Sequence, residues 1–145
     1  MVTISQAKNY ETPSIRKLEQ QCKERDVTGK YGYGYLTKFE YVFVAKEKNK
    51  IVGVIFALKT AKEEIYVEDI IIHPKWQNQG IERRLYETLL AHCGSHPILA
   101  LVKINNEASI KLHKELGFKG VKTVKNPFDR DVETESFLMR KDKKE

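Results

Sequence analysis

Apolar and polar positions change period several times along the chain, and each change marks an element. Val2, Ile4 and Ala7 open a short alternating strand. Thr12-Pro13 reads as a helix start, a capping residue followed by proline in the first turn. Ile15, Leu18 and Cys22 then form one helical stripe, and Thr28-Gly29 ends it. Residues 30–39, KYGYGYLTKF, are broken by glycines into a loop that carries Tyr31, Tyr33 and Tyr35. Residues 41–45 and 51–58 are β-rich and joined by KEKNK, a hairpin with its polar turn around Asn49. Lys62-Glu63-Glu64 turns the chain into a strand over residues 65–72, so three successive antiparallel strands are expected.

The run HPKWQNQG then gives way to helical spacing at Ile81, Leu85, Leu89, Leu90 and Cys93, ended by Gly94-Ser95-His96-Pro97. Residues 98–102 form a short, wholly apolar strand. Asn105-Asn106 caps a helix over residues 107–116, with Ala108, Leu112 and Leu116 four apart and Gly117 placed to end it. Residues 118–124 and 135–140 read as two last strands around the loop KNPFDRD. Seven strands and three helices, alternating in the middle of the chain, predict a one-domain α/β fold with a mixed sheet.

Composition narrows this picture without changing it. The 145 residues suffice for one domain with a real core, and 41% hydrophobic with 32% charged residues describe a globular chain. No apolar run approaches membrane-spanning length, and the opening MVTISQAKNY lacks the pattern of a signal peptide. Cys22 and Cys93 form no CxxC pair, so reduced thiols in the cytoplasm are expected and a metal site has no support. The net charge of +6 suits a polyanionic partner, although part of it lies in the solvated tail after Arg140. Nucleic acid is not expected, because no helix clusters basic residues.

Three groups of residues have chemical potential. The loop at Gln77, Asn78, Gln79 and Gly80 leads into Ile81, Glu82, Arg83 and Arg84. A glycine there permits positive φ, and free N–H groups of a first helical turn suit a phosphate. Asn106, Ser109 and His113, three and four apart, share one face of the later helix. A histidine on that face could move a proton near neutral pH. Glu68-Asp69 places carboxylates in an otherwise apolar strand, where one of the two could act as a general base.

Taken together, the runs EDIIIHPKWQNQGIERRLYETLL and NNEASIKLHKELGF resemble the two signature motifs of the GNAT superfamily of N-acetyltransferases. Their separation and the element order match that family across nearly the whole chain. The resemblance implies a single-domain, mostly antiparallel mixed sheet, splayed at the cofactor site and flanked by helices. It implies acetyl transfer from acetyl-CoA to an amine, small or peptidic, by direct attack. The pyrophosphate is then expected on residues 78–83, with Gln77 and Gly80 satisfying the loop pattern. The pantetheine arm is expected on the backbone of Ile70, Ile71 and Ile72, with further contacts from Asn106 and Ser109. His113 stands where the family usually has a tyrosine that protonates the departing thiolate. Glu82 stands where a small residue is expected, and a carboxylate beside the pyrophosphate lowers coenzyme affinity. The resemblance also leaves a homodimer open, and Glu82 keeps a second reading alive: a domain that binds coenzyme A or a partner as a sensor.

Overall fold

In the computed structural model, residues 1–22, 39–125 and 135–142 are described. Strands β1 (Val2–Gln6), β2 (Tyr41–Glu47), β3 (Lys50–Lys59), β4 (Ile65–Ile72), β5 (Ile98–Lys103), β6 (Lys119–Lys125) and β7 (Glu135–Lys141) join in the order β1-β2-β3-β4-β5-β7-β6. Helices α1 (Thr12–Cys22), α2 (Ile81–His92) and α3 (Glu107–Glu115) complete the described regular structure, with 3-10 turns at Asn9–Glu11 and Pro74–Trp76. The mixed sheet expected from the element pattern is present, and it is mostly antiparallel, as the resemblance implies. No helix among the described residues is long and apolar enough to cross a membrane. Contacts divide the chain into two compact units, Met1–Lys59 with Glu68–Gly94, and Thr60–Val67 with Ser95–Glu145.

The first unit is built on the β2–β3 hairpin, with β1 added antiparallel to β2. Alternate residues of a strand face opposite sides, so β2 presents two sets. Val42 and Val44 meet Ile15 and Leu18 of α1, in a cluster with Ile51, Val54, Phe56 and Ile71. Phe43 faces the other way, its ring 4.8 Å from His92 of α2. Each large apolar side chain buried in this way contributes about 1.5–3 kcal/mol. A β-bulge interrupts the hairpin: Ala45 pairs with Gly53 and Lys46 with Ile51, which leaves Val52 as the extra residue. Its carbonyl accepts the His73 N–H at 2.8 Å and so ties the end of β4 to β3. The expected capping by Thr12 is corrected. Its hydroxyl donates backward to Asn9 O at 2.8 Å, and Glu11 instead accepts the Lys8 N–H and ion-pairs with Lys46.

In the second unit β4 pairs in parallel with β5 over Ile65–Val67, and β7 pairs antiparallel with both β5 and β6. Ile65, Val67, Ile98, Ala100, Val102 and Met139 are buried. On α3 the expected stripe is displaced. Ala108 is exposed and Leu112 and Leu116 are half-buried, whereas His113 is the buried residue. Gly117, at φ +99°, turns the chain after α3, and the Phe118 N–H returns to His113 O at 2.9 Å. β6 lies at an edge of the sheet with lysines at 119, 122 and 125, all exposed.

Candidate active site

The first unit holds the strand end, loop and helix start. Ile71 is buried and Ile70 and Ile72 are half-buried. Asp69 Oδ1 accepts the N–H of the next residue, Ile70, at 2.9 Å, and Glu68 is half-buried beside it. The Ile72 carbonyl accepts from Cys22 Sγ at 3.6 Å and from Gln77 Nε2 at 3.1 Å. Cys22, read from sequence as one member of an apolar stripe, therefore joins α1 to the end of β4. Periodicity marks such a thiol as apolar and gives no sign of its donor role.

The loop is braced from within. His73 Nδ1 accepts the Lys75 N–H, Trp76 N–H bonds His73 O, and Gln79 Nε2 donates to Lys75 O at 3.2 Å. Asn78 and Gly80 both adopt positive φ, +63° and +79°. Asn tolerates this region better than most residues and Gly tolerates it freely. Gly80 is the N-cap of α2 and offers no side-chain oxygen to the first-turn N–H groups. Gln77 and Gln79, expected as cofactor contacts, spend their side-chain amides on the backbone. What the loop presents is main chain.

The charged side chains around the loop are placed differently from one another. Arg84 keeps its charge, and its guanidinium donates to Val2 O at 2.9 Å. Arg83 is half-buried. Glu82 is not turned out to water: it is half-buried, and desolvation pushes its carboxyl above the ordinary carboxylate range. His73 is pushed below its ordinary value by desolvation and by the Lys50 and Lys75 ammonium groups. Cys93, at the C-cap of α2 and 1% exposed, has its thiol raised to about 11 by burial, which keeps it protonated and unreactive.

In the second unit Asn106 caps α3, its Oδ1 accepting the Ser109 N–H at 3.1 Å. His113 is 2% exposed, its Nδ1 lies 2.7 Å from Ser109 O, and its ring meets Phe118 edge-on at 5.1 Å. Burial lowers its pKa, and the Ser109 bond opposes this in part. The neutral ring therefore dominates at pH 7, with its proton on Nδ1 directed at Ser109 O. An acid working at its ordinary pKa, as expected for His113, meets this opposition. The tyrosine loop at residues 30–39 and the loop at residues 126–131 fall outside the described residues.

Residues 6–118 match the model of the Acetyltransferase (GNAT) family. A stretch of 52 residues is 38% identical to an L-methionine sulfoximine/L-methionine sulfone acetyltransferase of Salmonella typhimurium, over 34% of this chain and 30% of that protein. It is 36% identical to the L-amino acid N-acyltransferase MnaT of Escherichia coli over the same shares. These matches span about a third of the length of either relative. Among solved structures, the ribosomal-protein-S18-alanine N-acetyltransferase of Escherichia coli superposes with a TM-score of 0.86 at 21% identity, over 100% of this chain and 96% of that one. A Salmonella typhimurium acetyltransferase, yncA, solved with acetyl-CoA, gives 0.82 at 19% identity, over 99% and 95%.

Proposed function

We propose that this chain, which belongs to the acetyltransferase (GNAT) family, transfers the acetyl group of acetyl-CoA to a primary amine by direct attack. The observation that carries this reading is the main-chain loop ahead of α2. Positive φ at Asn78 and Gly80 and an N-cap without a side chain leave first-turn N–H groups for a pyrophosphate. Asn78, Gln79, Gly80, Ile81, Glu82 and Arg83 form that cradle, and Gln77 fixes it to the end of β4. Ile70, Ile71 and Ile72 offer backbone to the pantetheine arm, and Asn106 and Ser109 add contacts from α3.

In the reaction the amine lone pair attacks the thioester carbonyl, the C–N bond forms and the C–S bond breaks. A carboxylate of the Glu68–Asp69 pair takes the amine proton. The sulfur leaves with its electron pair, and a thiolate, whose conjugate acid has a pKa of roughly 8.5 in cysteine, tolerates departure with little protonation. We therefore assign His113 to positioning the first turn of α3 through Ser109 O, with the acid role as the alternative its variant tests.

The test follows coenzyme release from acetyl-CoA over a panel of amino acids, small amines and peptides with free N-termini, beside calorimetry of acetyl-CoA binding. Glu68→Gln or Asp69→Asn is expected to slow turnover at least tenfold, and near-wild-type rates in both would remove the carboxylate assignment. A pH-independent loss in His113→Phe supports positioning, and a loss confined to the low-pH side, where the wild-type imidazole carries its proton, restores the acid role. Binding without turnover on the whole panel favours the sensor reading, for which the half-buried Glu82 is the supporting observation.

A further inference from the structure

Away from the loop, the first unit contains a cleft of about 760 Å³ between α1 and the β2–β3 turn. Ser14, Lys17 and Gln21 line one wall, on a single face of α1 because they stand three and four residues apart. Lys48, Asn49 and Lys50, the turn and first strand residue of the hairpin, line the other, and Ile51 closes the base. The size lies within the range of small-molecule clefts, but the lining is mostly polar.

The charge in this cleft is one-sided. Among the described residues, Lys17, Lys48 and Lys50 make no ion pair. The acid of the lining, Glu47, is held by the Met1 ammonium at 3.1 Å. Among the described residues, three lysines from α1 and the hairpin therefore line one space with a single carboxylate, which the Met1 ammonium already pairs. Their field reaches beyond the cleft, since Lys50 is one of the groups that depress His73. The backbone adds a second sign. Lys48 takes φ +55°, a region where a non-glycine residue costs about 1 kcal/mol or more, and a glycine would relieve it. The turn holds a lysine where conformation favours glycine.

We propose that this cleft binds a di- or triphosphate group, with Lys17, Lys48 and Lys50 neutralising oxygens on successive phosphorus atoms and Ser14, Gln21 and Asn49 donating hydrogen bonds. Ammonium groups on flexible stems suit a chain of phosphates, whose charge is spread over several centres. The site is separate from the acetyl-CoA cradle, none of whose residues lines the cleft. The phosphate chain could be inorganic or the tail of a nucleotide.

The test titrates the full chain with inorganic tripolyphosphate and, separately, with ATP, by calorimetry at low ionic strength, while NMR follows the His73 ring. Saturable binding is expected, with a rise in the His73 pKa as the field of Lys50 is neutralised. Equal affinities identify the phosphate chain alone, and tighter ATP identifies a nucleotide. Lys17→Gln and Lys50→Gln should each weaken binding about tenfold, the scale of one charge-assisted contact. Lys48→Gly should weaken binding while raising the melting temperature, so a lost affinity cannot be attributed to a damaged fold. Acetyl-CoA binding should stay at the wild-type level in all three variants, which separates this site from the proposed transferase activity. No saturation at millimolar tripolyphosphate, or unchanged affinity in the lysine variants, would each overturn the proposal.

Discussion

Gly53 offers a sharp test of how the end of β4 and the start of α2 are held. It sits opposite Ala45 beside the β-bulge, and a Cβ built on it would lie 3.0 Å from Ile72 Cδ1, 3.3 Å from Leu85 Cδ1 and 3.4 Å from Ala45 Cβ. Carbon atoms pack best at about 3.5–4.0 Å, so the contacts with Ile72 and Leu85 are too close, whereas that with Ala45 is ordinary. Ala45 and Leu85 are fully buried and cannot swing aside, whereas half-buried Ile72 has a methyl that can turn. Overpacking of this kind costs about 1–3 kcal/mol, and the lost freedom of the unfolded glycine returns about 0.4–1 kcal/mol. Gly53→Ala should therefore destabilise by about 1 kcal/mol. In urea unfolding, with a slope of about 1–3 kcal/mol/M, the midpoint drops by roughly half a molar at unchanged slope. The decisive measurement is the double variant. Ile72→Val deletes Cδ1, the atom at 3.0 Å, so Gly53→Ala should cost less than half as much in that background. A Gly53→Ala variant as stable as wild type, or a cost that Ile72→Val leaves unchanged, refutes the packing argument.

Other expectations are simpler to state. The Cys93 thiol, raised to about 11 and 1% exposed, should react with iodoacetamide at pH 8 only as fast as the chain opens; alkylation at the rate of a free thiol would contradict its burial. Glu82→Gln should tighten acetyl-CoA binding several-fold. The gain should grow from pH 5 to pH 8, because the raised carboxyl of the wild type loses its proton and gains its charge as pH rises; a pH-independent ratio would dismiss the charge effect. His113 is lowered in the folded state, so the unfolded chain binds its proton more tightly. Folding stability should fall as pH drops below the ordinary histidine value of about 6.5, and His113→Phe should flatten that part of the profile in urea titrations.

Much of the fold was legible because its strands are apolar, β-branched runs and its turns carry the residues that turns require. Residues 41–45 and 98–102 fall inside β2 and β5, and Gly117 ends α3 as its position requires. The bulge at Val52 was not legible. Residues 51–57 are buried on both faces, so the apolar run has no alternation whose slip would mark the extra residue. Thr12-Pro13 located the start of α1 but misled about its cap, since Glu11 three residues after Lys8 already satisfied the turn. At the site, the glycine of the loop was readable from its position alone. The internal bonds of Gln77, Gln79 and Arg84 depend on how side chains fold back on the main chain, which spacing does not encode. Glu82 was legible as a departure from its neighbours, but its half-burial was not.

The lysine-bearing edge at β6 has a consequence for handling the molecule. Val121, the extra residue of a second bulge, stands 55% exposed between Lys119 and Lys122. Two such edges brought together would set ammonium groups against one another across the new ladder, and the bulge would break its register. Open-ended growth of strands from this side is therefore disfavoured, and concentrated solutions should stay clear at low salt. Added salt screens the lysines and removes that safeguard.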